Sequence, residues 1–195
     1  MRSVCSAVAL SLLGGLLLGC NDVTRSTSVD QQSRTWSEGA LAAKEGSERQ
    51  IKMMDACDPE TFNAALGEGM CVRNGGVRFE EFLEQLSRHQ TVGAWHFTPP
   101  QVHVKVGQIL LAANQGGEVH TFTEVEAFGG GIVADLNTRS GNPTPAPECL
   151  ALEPDDFVPP GGSYSDEVEE EGVELYQCCI HPWMRTTIHA QGTAR

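Results

Sequence analysis

Four side chains able to do metal chemistry stand out by type and spacing. Cys178, His181 and Met184 lie in one short run, Tyr176-Gln177-Cys178-Cys179-Ile180-His181-Pro182-Trp183-Met184. A second histidine, His120, lies well upstream, after Asn114-Gln115-Gly116-Gly117-Glu118-Val119. Thiolate and thioether sulfur are soft donors that favour Cu(I), and imidazole suits either oxidation state of copper. A site combining one thiolate, one thioether and two imidazoles compromises between the two states, so little has to move when an electron is gained or lost. The set points to one copper ion held by His120, Cys178, His181 and Met184.

Such residues need strands to position them. Glu174–Cys178 reads as a strand that ends on the cysteine, and Thr186–Ala190 as another. Residues 119–125, Val-His-Thr-Phe-Thr-Glu-Val, alternate apolar and polar, which puts His120 on a strand. Val102, Val104 and Val106 alternate with His103 and Lys105; Gly107-Gln108 turns the chain into a more apolar strand, Ile109–Ala113. Upstream, Trp95 and Phe97 alternate until Pro99-Pro100 ends the run. Two helices precede these strands. Asp58-Pro59 is a start signal for a short helix ending near Gly67. Phe79, Phe82, Leu83 and Leu86 then share one helical face, opposite Glu80, Glu81, Glu84 and Gln85, and predict a helix packed on the side of a sheet. Residues 126–170 are rich in Gly, Pro and acids, a long excursion with one short helix near Ala134–Leu136. The fold class is mainly β: short strands between Gly and Pro turns predict a β-sandwich with a short helical N-terminal extension.

The ligand run resembles the copper loop of the cupredoxins, the blue type 1 copper proteins, and most of all the amicyanin, pseudoazurin and plastocyanin type. Cys178, His181 and Met184 match that loop's spacing, and Tyr176, Pro182 and Arg185 match its flanks. Asn114 and His120 match the spacing between a bracing asparagine and the first histidine ligand. The resemblance covers about residues 92–190, and the long step from His120 to Cys178 departs from it. It implies a Greek-key sandwich holding one mononuclear type 1 copper, with Asn114 bracing the ligand loop. It implies a carrier that passes single electrons to and from a redox partner protein. With four protein ligands no position stays open for a substrate, so no enzyme activity is expected.

Cys178 is preferred to its neighbour Cys179 because adjacent strand residues face opposite sides and because Cys179 sits too close to His181 for the family spacing. The choice leaves Cys57, Cys71, Cys149 and Cys179 as an even set, expected as disulfides 57–71 and 149–179. Of seven cysteines in the chain, Cys5 is expected to leave with the signal and Cys20 to carry a lipid. Met1-Arg2 and the apolar stretch Val4–Leu18 read as a secretory signal, and Leu17-Leu18-Gly19-Cys20 resembles the lipobox of bacterial lipoproteins. The expected organisation is a signal over 1–19, a lipidated Cys20 and polar tether over 20–50, a helical extension over 51–91 and the copper domain over 92–195. The protein is then exported and anchored to a membrane by the lipid on Cys20, with its domain facing periplasm or exterior, where cysteines pair.

Composition agrees. With 13 Lys and Arg against 26 Asp and Glu, the net charge is −13, which leaves no basic surface to bind nucleic acid. No nucleophile–base arrangement suggests a hydrolase. His103 and His189 are expected at the surface, and His96 beside Trp95. The acidic run Asp166, Glu167, Glu169, Glu170 and Glu171 is a solvated loop or a docking patch for a basic partner. Trp183 is either a packing residue or an electron-entry contact. Two other functions fit the same residues: copper delivery in envelope metal handling, with a labile exposed site, or a sandwich that has lost its metal.

Overall fold

The computed structural model describes residues 48–192. The signal, the lipid attachment at Cys20 and most of the tether lie outside the described residues. Strand β1 (Glu48–Met54) is followed by helices α1 (Pro59–Leu66) and α2 (Phe79–His89). Strands β2 (His96–Thr98), β3 (Gln101–Lys105), β4 (Ile109–Asn114), β5 (His120–Thr121) and β6 (Thr123–Val125) come next. After α3 (Ala134–Arg139) the chain forms β7 (Phe157–Val158), β8 (Ser163–Glu167), β9 (Gly172–Gln177) and β10 (Arg185–Gln191).

Two four-stranded sheets, ordered β2-β1-β4-β8 and β3-β10-β9-β6, face each other, and β5 pairs with β7 in a small third ladder. Both larger sheets are mixed. β1 runs parallel to β4 and β10 parallel to β3, while their other neighbours are antiparallel. Alternation decides which side chains meet between the sheets. Ile51 and Met53 of β1 and Leu110 and Ala112 of β4 share one core with Val102, Val104, Tyr176 and Ile188 of the facing sheet. Each fully buried aliphatic side chain stabilises the fold by roughly 1.5–3 kcal/mol relative to exposure. The mainly β sandwich expected from the strand pattern is the observed architecture.

The N-terminal segment departs from its expected role. A boundary between 50 and 51 falls inside β1, which lies between β2 and β4 rather than in a tether. In its local run, Ile51 and Met53 are the only fully buried positions. The strand forms because β4 offers it a six-residue parallel ladder, from Glu48 opposite Ile109 to Met53 opposite Asn114. β8, in the acidic excursion, was likewise not expected. It is a polar edge strand recruited by the far side of β4.

Both helices follow their sequence signals. Asp58 caps α1 by accepting from the Thr61 backbone N–H at 3.0 Å, with Pro59 in the first turn. α2 carries its acids at the start and Arg88 and His89 at the end, matching the helix dipole. The pair is stitched together by Thr61, whose Oγ1 accepts from Phe79 N–H at 3.1 Å. Asn63 binds both backbone groups of Cys71, at 2.8 and 3.0 Å. Phe62, Phe82 and Trp95 form one aromatic cluster, with Phe82 and Trp95 centroids 4.8 Å apart. Both expected disulfides are present, Cys57–Cys71 and Cys149–Cys179. The second lies in a smaller core with Val125 and Ala146. No helix among the described residues is long and apolar enough to cross a membrane.

Candidate metal centre

Strand β9 delivers Cys178 one residue past its end, and the turn to β10 carries His181 and Met184. The turn closes on itself: Cys178 N–H donates to the Met184 carbonyl at 3.0 Å, and Met184 N–H to the His181 carbonyl at 2.9 Å. His120 starts β5, opposite Val158. The fold thereby brings His120, Cys178 and His181 together, with their donor atoms all within 4.8 Å of one another. Cys178 Sγ lies 3.8 Å from His120 Nδ1 and 3.9 Å from His181 Nδ1. Cys178, His120 and Met184 are wholly buried, and His181 is 3% exposed. Cys178 is the one free cysteine among the described residues, because Cys179 is bonded to Cys149.

The sulfur is held from two further directions. The backbone N–H groups of Thr121 and His181 each point at Cys178 Sγ at 3.5 Å. Burial pushes the Cys178 thiol up, yet its contacts with His120 and His181 hold it well below its ordinary value. The thiolate, which is the metal-binding form, is therefore favoured.

Asn114 ends β4 in the position the sequence suggested. Its side-chain amide donates to the Glu118 carbonyl at 2.8 Å and to the Val158 carbonyl at 2.9 Å, while its oxygen accepts from Gly116 N–H at 2.9 Å. One buried residue thus ties the loop before His120 to the strand that pairs with it.

Two residues missed in the sequence stand behind the histidines. Asp55, just past β1, meets His120 Nε2 at 2.9 Å, and both side chains are fully buried. The same carboxylate accepts from the N–H groups of Gly117 and Glu118 at 2.8–3.0 Å. Burial would raise Asp55, but the bond to His120 and these backbone donors pull it down to about 2. Burial likewise opposes a charged His120, but the bonds to Asp55 and Cys178 outweigh it and raise the ring to about 9. Glycine is required here: a Cβ on Gly116 would collide with the Asp55 carboxylate. The second missed residue is Glu118, whose Oε2 accepts from the Trp95 indole N–H at 2.6 Å and lies 3.6 Å from His181 Nε2. Burial pushes Glu118 up, with His181 and the Trp95 bond opposing it. Glu118 stands two residues before His120, a proximity that could have flagged it; Asp55 has no such signal. Cys57 also lies near Asp55 and Glu118 but is bonded to Cys71, so it offers no thiolate.

α2 covers the outer edge of His181. Phe82 packs edge-on against that ring at 6.3 Å between centroids, and Trp183 at 5.5 Å. Trp183 is half-buried and also contacts Phe82, so it packs. The remaining histidines lie apart from the centre. His96 is exposed and bonds the Gly93 carbonyl, while His103 and His189 stack at 4.9 Å on paired residues of β3 and β10. The acidic run lines a surface cleft with Glu124 and Glu174, into which Tyr176 donates its hydroxyl to Asp166 at 2.8 Å.

No protein-family model matches the chain, and no curated protein matches it. Among solved structures, it is similar to a purple cupredoxin from Nitrosopumilus maritimus, with 16% identity over 73% of this chain and 98% of that one, at a TM-score of 0.42. It is similar to an amicyanin variant in its Cu(I) form, with 20% identity over 49% of this chain and 73% of that one, at a TM-score of 0.35. It is also similar to the oxidised plastocyanin of Dryopteris crassirhizoma, with 11% identity over 73% of this chain and all of that one, at a TM-score of 0.38. The donor set is the stronger guide. A buried cysteine sulfur between two imidazoles, their Nδ1 atoms turned toward it, fits a copper ion in type and reach.

Proposed function

We propose that this chain is a lipid-anchored, exported electron carrier of the cupredoxin type, with His120, Cys178, His181 and Met184 as copper ligands. The observation that carries the reading is the buried His120–Cys178–His181 cluster at the end of the sandwich. A copper ion bound there supplies a one-electron couple. The chain's residues do the rest. Asp55 and Asn114 fix the orientation of His120 and its loop, so the site is preorganised before metal arrives. The thiolate is kept deprotonated by its neighbours. α2 and Trp183 exclude water from the His181 side. Met184, tied to Cys178 through the backbone, is the fourth donor.

An optical spectrum of the purified chain after addition of Cu(II) tests this directly. The expected result is an intense visible band that a mild reductant bleaches. Cys178→Ser should remove the band and Cys179→Ser should keep it. A colourless copper complex would favour copper delivery instead, although burial of every proposed ligand argues against a labile site. Anchoring through Cys20 is tested separately: Cys20→Ser should release the protein from the membrane fraction. A redox partner protein follows from the carrier reading, and the acidic cleft suits a basic one by charge.

A further inference from the structure

Each histidine of the centre has its own carboxylate behind it. Asp55 meets Nε2 of His120, and Glu118 faces Nε2 of His181. The two carboxylates are themselves close, with oxygens within 4.8 Å. Among the described residues, the ion-pair partners of both are the two imidazoles and no Lys or Arg. Glu118 is only 6% exposed. A buried carboxylate is costly unless donors surround it. Here Trp95 gives one N–H at 2.6 Å. His181 faces the same oxygen from the other side, its Nε2 3.6 Å away. Glu118 is further clamped through its backbone, its N–H donating to Asp55 and its carbonyl accepting from Asn114. Its carboxylate cannot swing away from His181 without losing the bond to Trp95.

We propose that Glu118, held by Trp95 against the outer edge of His181, is a positioning residue that fixes this ligand and biases the centre toward Cu(II). The inference rests on the copper reading above. Two effects act in the same direction. A carboxylate facing the far nitrogen makes an imidazole a stronger donor, which the higher charge of Cu(II) rewards. The thiolate and two buried carboxylates also place three negative groups around the site. In a water-poor interior these stabilise two positive charges more than one.

The test is a redox titration of copper-loaded wild type, Glu118→Gln and Glu118→Asp. Glutamine keeps an acceptor for Trp95 and removes the charge. Its Cu(I)/Cu(II) equilibrium should move at least tenfold toward Cu(I), or 59 mV for one electron. Aspartate keeps the charge and should restore most of the wild-type potential. A Gln variant within twofold of wild type, with the visible band intact, overturns the inference while leaving the carrier reading in place. An Asp variant shifted as far as Gln also overturns it, since geometry rather than charge would then be responsible. A wild-type chain that takes up no copper overturns both readings together. A measurement on unaltered protein covers the case of a misfolded variant: nitrogen NMR of the Cu(I) form should show a protonated, hydrogen-bonded Nε2 on His181. A bare Nε2 would overturn the proposal.

Discussion

Two segments flank the ligand-bearing strands, and they reach the centre in different ways. Residues 48–91 join the main core through Ile51, Met53, Phe62 and Phe82, and place Asp55 and the Phe82 ring directly against the two histidines. The 126–170 excursion adds Val158 and Val168 to that core, and its strand β7 pairs with β5 at His120. It contributes Ala146 and Cys149 to a smaller cluster and touches the ligand strand from behind. There the Cys149–Cys179 disulfide and the bond from Ile132 N–H to the Cys179 carbonyl, at 2.7 Å, hold the backbone next to Cys178. A Cβ on Gly131 would collide with that same carbonyl. One segment thus places side chains behind the two histidines, and the other pairs with His120 and braces the chain next to Cys178. Changes in the first should alter metal behaviour, and changes at the Cys149–Cys179 brace of the second should alter stability alone.

The strongest test of this contrast is Phe82→Ala. It removes the buried ring between Trp95, Trp183 and His181. The expected cost is about 3–5 kcal/mol in denaturant unfolding. A chelator should also strip copper at least tenfold faster. Unchanged stripping would mean that α2 does not guard the site. The matching change on the other side is the double variant Cys149→Ser with Cys179→Ser. It should cost roughly 2–5 kcal/mol and leave the visible copper band in place. Loss of that band would show that the brace also sets ligand geometry.

A smaller effect is expected at the α1 cap. Hydrogen bonds from the Thr61 hydroxyl and backbone N–H hold Asp58 below its ordinary value of 3.8. A carboxylate with a lowered folded value contributes stability above 3.8, and that contribution fades as pH falls through the folded value. Acid unfolding curves of wild type and Asp58→Ala should therefore converge at low pH and separate toward neutrality. Least of all, Leu150→Ser in the excursion should change stability by no more than about 0.5 kcal/mol, because Leu150 is 69% exposed. A larger change in unfolding midpoint would reveal a packing role for that surface.

Much of this arrangement was legible in the residues. The Cys178–His181–Met184 spacing, the alternation around His120 and the even set of remaining cysteines identified the cluster and both disulfides. The α1 and α2 signals were local and strong: a capped Asp-Pro start, and an apolar face at helical spacing. β1 and β8 were not legible, for a shared reason. Each is largely polar, with Ile51 and Met53 alone fully buried in β1 and no fully buried residue in β8. Each becomes a strand by pairing with opposite edges of β4. Pairing partners that are distant in sequence leave no local periodicity.

The sequence by itself determined the donor chemistry, because ligand softness belongs to the residue type and the Cys178–Met184 turn is short enough to carry its own geometry. Strand alternation, which sends Cys178 and Cys179 to opposite faces, together with the spacing of the copper loop it resembles, also singled out Cys178 as the free cysteine. Only the tertiary structure decided what stands behind each histidine. Asp55 reaches His120 because β1 runs beside β4 and Gly116 leaves room for the approach. Glu118 reaches His181 because Trp95 holds it there beneath α2. Those contacts join parts of the chain that share no local pattern, and burial from water, a property of the folded molecule alone, gives their charges force.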